Sequence, residues 1–270
     1  MKRLILLFLS IGVFGFLFAN SLQEIREQGV IRIGVYIAQP PFSTCKDGKC
    51  EGFEIEMAHK ITKNIFGDKQ GEVKTIPLKS NERISALQDN KVDMVLATFT
   101  ITEERKQLVD FTSPYFSVNI GVLTPKSNHV NSLDDLKDKR FLIKRGTTAE
   151  DFFKERGVNI IYCDTSAECY KKLKDGEGDA MVDDNLVVLA FAVLDSDFEV
   201  NIKNLGKADF LGIGVAKNNS QLKKYLDQEL IKMSKEGFFK EAFDNYLNVF
   251  YKGTAEKKYF LLDDIYSFFG

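Results

Sequence analysis

Asp93-Met94-Val95-Leu96-Ala97-Thr98-Phe99-Thr100-Ile101-Thr102-Glu103-Glu104-Arg105 runs from an apolar strand into a hydroxyl-rich loop and on into a helix start with an arginine one turn in. Backbone N–H groups at such a terminus, with a bidentate guanidinium beside them, form a receptor for a carboxylate. The same letters also describe an ordinary capped helix with a surface arginine, and pattern alone leaves both readings open. The strand itself, short and apolar between turn signals, predicts a buried parallel sheet.

Working outward, strand and helix alternate on both sides of this stretch. Upstream, a helix over 22–28 is stopped by Gly29, a strand spans 30–35, and Pro40-Pro41-Phe42 marks a loop. Phe53, Ile55, Met57, Ala58, Ile61 and Ile65 give a helical apolar face, followed by a strand over 73–78 and a helix over 83–88. The helix at Glu103 ends near Leu108. A second series then begins with a strand over 119–124, whose exit at Pro125-Lys126-Ser127-Asn128 reads as a crossing. It continues as strands over 141–143, 159–163 and 180–182 alternating with helices over 148–156, 167–174 and 185–194. A glycine-containing strand over 211–216 takes the chain back, and helices over 221–233 and 238–246 follow. The expectation is two α/β lobes with largely parallel sheets, joined by two crossing strands. Residues 20–124 with 214–270 form the first lobe and 125–213 the second.

Composition narrows the function. With 37 Lys plus Arg against 39 Asp plus Glu, no basic field exists to attract phosphate backbones, so nucleic acid is excluded as the expected partner. Met1-Lys2-Arg3 followed by an uncharged run from Leu4 to Ala19 reads as a signal peptide over 1–19. An uncleaved anchor is the alternative, because the run approaches the roughly 17 to 20 residues that span a bilayer. Ala19 before Asn20-Ser21 favours cleavage, which leaves 35 cations against 39 anions, a net charge of −4.

Export permits disulfides, and the four cysteines fall into two local pairs, Cys45 with Cys50 and Cys163 with Cys169. Asp47-Gly48 is a two-residue hairpin turn that sets Cys45 opposite Cys50, about 4.5 to 5.5 Å between Cα atoms, within disulfide range. Closing so short a loop stabilises by about 2 kcal/mol. A zinc site is the rival use, but His59 and His129 lie far from the cysteines in sequence, so no metal is expected.

Thr98 to Arg105, continued by Val109-Asp110-Phe111-Thr112-Ser113-Pro114-Tyr115, closely resembles extracellular solute-binding protein family 3, the polar amino-acid receptors of ABC importers. Pro41-Phe42, Gly52-Phe53-Glu54-Ile55, Asp134-Leu136-Lys137, Gly146-Thr147-Thr148 and Gly178-Asp179-Ala180 extend the resemblance over nearly the whole chain after residue 19. Among members, it is most similar to epsilonproteobacterial cysteine receptors and, less closely, to aspartate/glutamate receptors. The resemblance implies a type II periplasmic binding protein fold, a periplasmic monomer, no cofactor, and a permease partner in the inner membrane. The ligand it implies is a polar amino acid, either cysteine or an acidic one.

Carried onto this sequence, the resemblance implies that Arg105 and the Thr100 N–H bind the ligand α-carboxylate, joined from the other lobe by Thr148 and the Thr147 hydroxyl. Asp184, five residues beyond Asp179, takes the α-ammonium with the Thr98 carbonyl and Thr100 hydroxyl, while Asp183 points elsewhere. Tyr36, Gln39, Phe42, Ser80, Arg83 and Lys144 fall at side-chain pocket positions. Arg83 either reads an acidic side chain or serves the fold, Phe42 either walls the pocket or fills the core, and Lys144 is either a pocket residue or solvated. Thr98 stands where many members have glycine. The same fold also carries enzymes such as cyclohexadienyl dehydratases, which need a general acid against a leaving group. Beyond Asp184 no such acid is legible, so a binding protein is expected and a dehydratase-like enzyme is the alternative.

Overall fold

The computed structural model describes residues 19–255 together with Lys257 and Leu261; the expected signal peptide, apart from Ala19, lies outside the described residues. Helix α1 (Leu22–Gln28) opens on a capping box between Ser21 and Glu24 and ends where Gly29 takes a left-handed φ of 68°. It leads into β1 (Val30–Tyr36), whose last four residues are buried. A small sheet follows, of β2 (Ala38–Gln39), β3 (Ser43–Lys46) and β4 (Lys49–Glu51). Asp47 and Gly48 both turn at positive φ, 51° and 76°, which sets Cys45 opposite Cys50, and the two are bonded as expected. Cys163 and Cys169 are bonded too.

Helix α2 (Phe53–Phe66) buries the apolar face read from its spacing. Then come β5 (Glu72–Leu78), α3 (Arg83–Gln88), β6 (Met94–Leu96), α4 (Glu103–Leu108) and β7 (Val109–Phe111). The chain crosses along β8 (Phe116–Pro125) to β9 (Arg140–Lys144), α5 (Thr148–Lys154), β10 (Asn159–Cys163), α6 (Ser166–Lys174), β11 (Ala180–Asp184) and α7 (Asn185–Leu194). It returns along β12 (Phe198–Leu211) into β13 (Gly214–Ala216), α8 (Ser220–Lys235) and α9 (Phe238–Ala242).

Two five-stranded sheets result, ordered β5-β1-β6-β13-β7 and β10-β9-β11-β8-β12. Each is parallel in its βα units only. In the first, β13 runs antiparallel to β6 and β7; in the second, β8 runs antiparallel to β11 and β12. For β8 and β12 the reason is connectivity: one carries the chain out and the other brings it home, so they run opposite ways. The crossing lies within β8 rather than at its exit. Phe116 and Val118 pack in the first lobe's core with Phe42 and Phe53, whereas Ile120 and Val122 belong to the second. Pro125, expected at the crossing, closes the ladder against Phe198.

The return strand β12 lacks a strand signature in the sequence, because alternating burial fades after its first residues and three register shifts interrupt its pairing with β8. Behind the crossing, Leu186 and Ala190 of α7 pack into the first lobe's core, and the buried Tyr251 hydroxyl donates to the Leu186 carbonyl at 2.7 Å. In the expected tail, Leu261 bridges to Phe116, while Tyr259, Phe260 and Leu262 lie outside the described residues.

Candidate functional site

The carboxyl ends of the parallel strands β1 and β6 deliver Tyr36–Gln39 and Ala97–Thr100 to the cleft between the lobes, the position where open α/β sheets place ligands. Thr98 has φ of 42°, a left-handed conformation that a β-branched residue avoids and glycine adopts freely. Three bonds hold it there. Its N–H donates to Glu54 Oε1 at 2.7 Å, its carbonyl accepts from Arg83 Nη1 at 2.8 Å, and its hydroxyl accepts from Gln39 Nε2 at 2.9 Å. Thr100 bridges to Leu211, closed by Ile101 N–H to the Phe210 carbonyl and Gly212 N–H to the Phe99 carbonyl. In such a non-hydrogen-bonded pair Thr100's own N–H turns to the opposite edge.

Arg105 follows Thr102, which caps α4 by accepting the Arg105 N–H. Its guanidinium is buried, donating from Nη1 to the Thr100 carbonyl at 2.7 Å and from Nη2 to the Gly146 carbonyl of the other lobe at 3.0 Å. Nε–H and the second proton on each terminal nitrogen have no acceptor among the described residues. Burial pushes its pKa down, opposed by the charges of Asp151 and Asp184. Arg83 differs. Its Nε and Nη atoms donate to the carbonyls of Ser80, Ala97, Thr98 and Gly146, and its guanidinium lies over the Phe99 ring at 4.8 Å. Burial, then repulsion from Arg105, lowers its pKa to about 9, which leaves it charged at neutral pH. It staples the backbone of both lobes.

On the facing lobe, Gly146 has φ of 73° and a Cβ there would lie 2.9 Å from the Cα of Asn81. Glycine is therefore what lets this turn approach the first lobe closely enough for both arginines to reach its carbonyl. Thr147 caps α5, its hydroxyl accepting from the Glu150 N–H and donating to the Lys144 carbonyl at 2.9 Å. Thr148 opens the helix with its hydroxyl against Asp209. Lys144, expected as a pocket residue or a solvated one, is buried: its ammonium pairs with Asp183 at 2.9 Å, donates to Gln39 Oε1 at 2.9 Å across the cleft, and lies 4.6 Å from the centre of the Tyr36 ring. Burial disfavours its charge, yet the Asp183 partner outweighs this and its pKa is raised.

Asp184 occupies the N-cap of α7, where an aspartate ordinarily accepts a helix N–H, but its side chain makes no cap bond. Its carboxylate instead faces the cleft with no hydrogen-bond donor among the described residues. Burial, and then the neighbouring charge of Asp183, push its pKa up to about 7, with Lys144 pulling the other way. A cation delivered here would relieve both costs.

These groups surround a small cavity lined by Ser80, Arg83, Thr98, Thr100, Lys144, Thr147, Thr148, Asp183 and Asp184. Of the expected site residues, Arg105 is not in this lining but donates to the carbonyl of Thr100, which is, and Gln39 and Tyr36 contact Lys144. Phe42 is placed elsewhere: it is 1% exposed and packs edge-on to Phe53 and Phe116, so it fills the core under the hairpin. Asp183, expected to point away, lines the cavity because its strand neighbour Lys144 draws it in. Its carboxylate also takes the Ser166 hydroxyl at 3.3 Å.

A cavity between two α/β lobes, walled by Thr100 to which Arg105 is bonded and by the uncapped Asp184, is the arrangement of a two-lobed receptor for a small solute. Residues 31–249 match the bacterial extracellular solute-binding proteins, family 3, and the chain belongs to that family. It is therefore a solute-binding protein and not an enzyme. The L-cysteine solute receptor of Neisseria gonorrhoeae is 36% identical with a TM-score of 0.86, covering 90% of this chain and 99% of that one. The cysteine-binding protein of Campylobacter jejuni is 35% identical with a TM-score of 0.85, covering 89% and 98%. The ABC transporter glutamine-binding protein GlnH of Bacillus subtilis is 32% identical over 204 residues, 74% of each chain.

Proposed function

We propose that this chain is a periplasmic receptor that captures L-cysteine and delivers it to an ABC permease as a monomer. The observation that carries the reading is the pairing of a buried arginine, Arg105, bonded to the cavity-lining Thr100, with the uncapped Asp184 carboxylate that lines the same cavity and acts electrostatically on it. Arg105 and the Thr100 N–H take the α-carboxylate, Thr148 closes over it, and Asp184 takes the α-ammonium. The Thr98 carbonyl, already bonded to the Arg83 guanidinium, is a poor ammonium acceptor, which leaves that charge to Asp184.

The side-chain end favours a small neutral ligand over an acidic one. Arg83 is committed to four backbone carbonyls and Lys144 to Asp183 and Gln39, so neither cation is free for a second carboxylate. The two similar cysteine receptors point the same way. Capture follows from closure: the first lobe holds the ligand loosely, and contacts from the second are made only when the lobes meet. Lys2, Arg3 and the apolar run to Ala19 would direct export, with cleavage near Ala19 freeing the receptor.

Thermal unfolding of the protein from residue 20 onward, with each of the twenty amino acids under reductant and with cystine, tests this. At a hundredfold excess over Kd, L-cysteine stabilises by about 2.7 kcal/mol and raises Tm by about 5 to 10 °C. Glutamate and aspartate leave it within about 1 °C of the ligand-free value, since the charge they bring finds no partner. No shift with any amino acid, or the largest shift with an acidic one, would overturn the assignment.

A further inference from the structure

Glu54 lies outside the cavity, yet it is a fully buried carboxyl attached to the ligand loop. Its mounting is rigid. Gly52 before it has φ of 128° and a Cβ there would lie 2.5 Å from the Phe42 carbonyl oxygen, while the Phe53 and Glu54 N–H groups donate to the Pro41 and Phe42 carbonyls at 3.0 and 2.9 Å. From this seat Glu54 Oε1 accepts two bonds, from the Thr98 N–H at 2.7 Å and from the Tyr115 hydroxyl. Oε2 has no partner among the described residues. A buried carboxyl with one oxygen doubly bonded and the other unmatched costs stability, and such costs persist where they hold a strained element in place.

The two donors identify what is held. Thr98 has the left-handed φ, two positions before Thr100, which lines the cavity and whose N–H turns away from Leu211. Tyr115 begins the crossing, and its own N–H donates to the carbonyl of Leu211, the last residue of the returning strand, at 2.9 Å. One carboxyl oxygen thus joins the ligand loop to the point where both crossing strands enter the first lobe. We propose that Glu54 is a positioning residue: its Oε1 fixes the Thr98 turn so that the Thr100 N–H and Arg105 converge on the ligand carboxylate, and ties that turn to the crossing strands through Tyr115.

The role depends on an acceptor at the right reach and not on a charge, which sets the test. Glu54→Gln keeps an oxygen for both donors, Glu54→Asp keeps the charge but withdraws it by one methylene, and Glu54→Ala removes it. In folded variants, amide hydrogen exchange at Thr98 is expected to quicken about tenfold in Asp and Ala, the scale of a buried donor losing its acceptor, and to stay near wild type in Gln. L-cysteine affinity should follow the same order, about tenfold weaker for Asp and Ala. Unchanged exchange and affinity in the Asp variant, or a Gln variant worse than Asp, would overturn the proposal; this pair decides it even if Ala does not fold. The inference rests on the receptor reading for its affinity arm alone. Should wild type bind no amino acid, that reading fails while the exchange rates, measured without ligand, still decide Glu54.

Discussion

Replacing Arg105 with alanine is expected to weaken amino-acid binding about a thousandfold while leaving a folded protein. The size follows from what remains: a ligand carboxylate drawn into a closed cavity without its fork loses about 4 kcal/mol, the range for truncating one partner of a buried charge pair. The fold should survive, because Arg105 donates to two carbonyls only and its charge is one of the influences that depress Arg83. Arg105→Lys keeps the charge and loses the planar fork, so it should fall between the two. Calorimetric titration with L-cysteine checks the affinity and thermal unfolding checks the fold. Wild-type affinity in a folded alanine variant would remove Arg105 from the site.

Asp184 carries the second large effect, and it has a signature in pH. With its pKa raised to about 7 by burial and by Asp183, the carboxyl of the free protein is mostly protonated at pH 5.5. Binding an ammonium requires it ionised, so the ligand lowers that pKa and binding expels a proton. Affinity is then full above pH 7 and lost as pH falls through it, by at least about tenfold between pH 8 and pH 5.5. Unliganded stability moves in the opposite sense. The folded pKa lies above the unfolded one, so this group's contribution grows as pH falls from 7 towards 4 and is lost as pH rises through 7. Asp184→Asn should weaken binding about a hundredfold at pH 8 and abolish the pH dependence of what remains. A wild-type affinity that is flat from pH 8 to 5.5 would contradict this role.

Much of this arrangement was legible in the letters. Local chemistry marks α1, where Ser21 caps and Gly29 stops, and the Asp47-Gly48 turn that brings Cys45 to Cys50. Alternating βα units imply two lobes, and Arg105 and Asp184 stood out through the family's motifs. What stayed hidden depends on neighbours distant in sequence. Arg83 is distinguished from a ligand reader only by its four carbonyl acceptors, of which Ala97, Thr98 and Gly146 are distant in sequence and Gly146 is on the opposite lobe. Asp183 turns inward because Lys144 sits on the adjacent strand, and Phe42 turns to the core because Phe53 and Phe116 meet it there. Glu54 offered one faint clue, a charge set between Phe53 and Ile55 at the apolar start of a helix. Strand β12 hid for the opposite reason: half its residues face water and its pairing with β8 slips.

The central claim is that an α-carboxylate and an α-ammonium are read together, from opposite lobes. Calorimetric titration with L-cysteine, with cysteamine, which lacks the carboxylate, and with 3-mercaptopropionate, which lacks the ammonium, tests it most directly. Each truncated compound leaves a buried charge of the protein unpaired, so both should bind at least about a hundredfold more weakly than cysteine. Binding of either one within tenfold of cysteine would contradict the account.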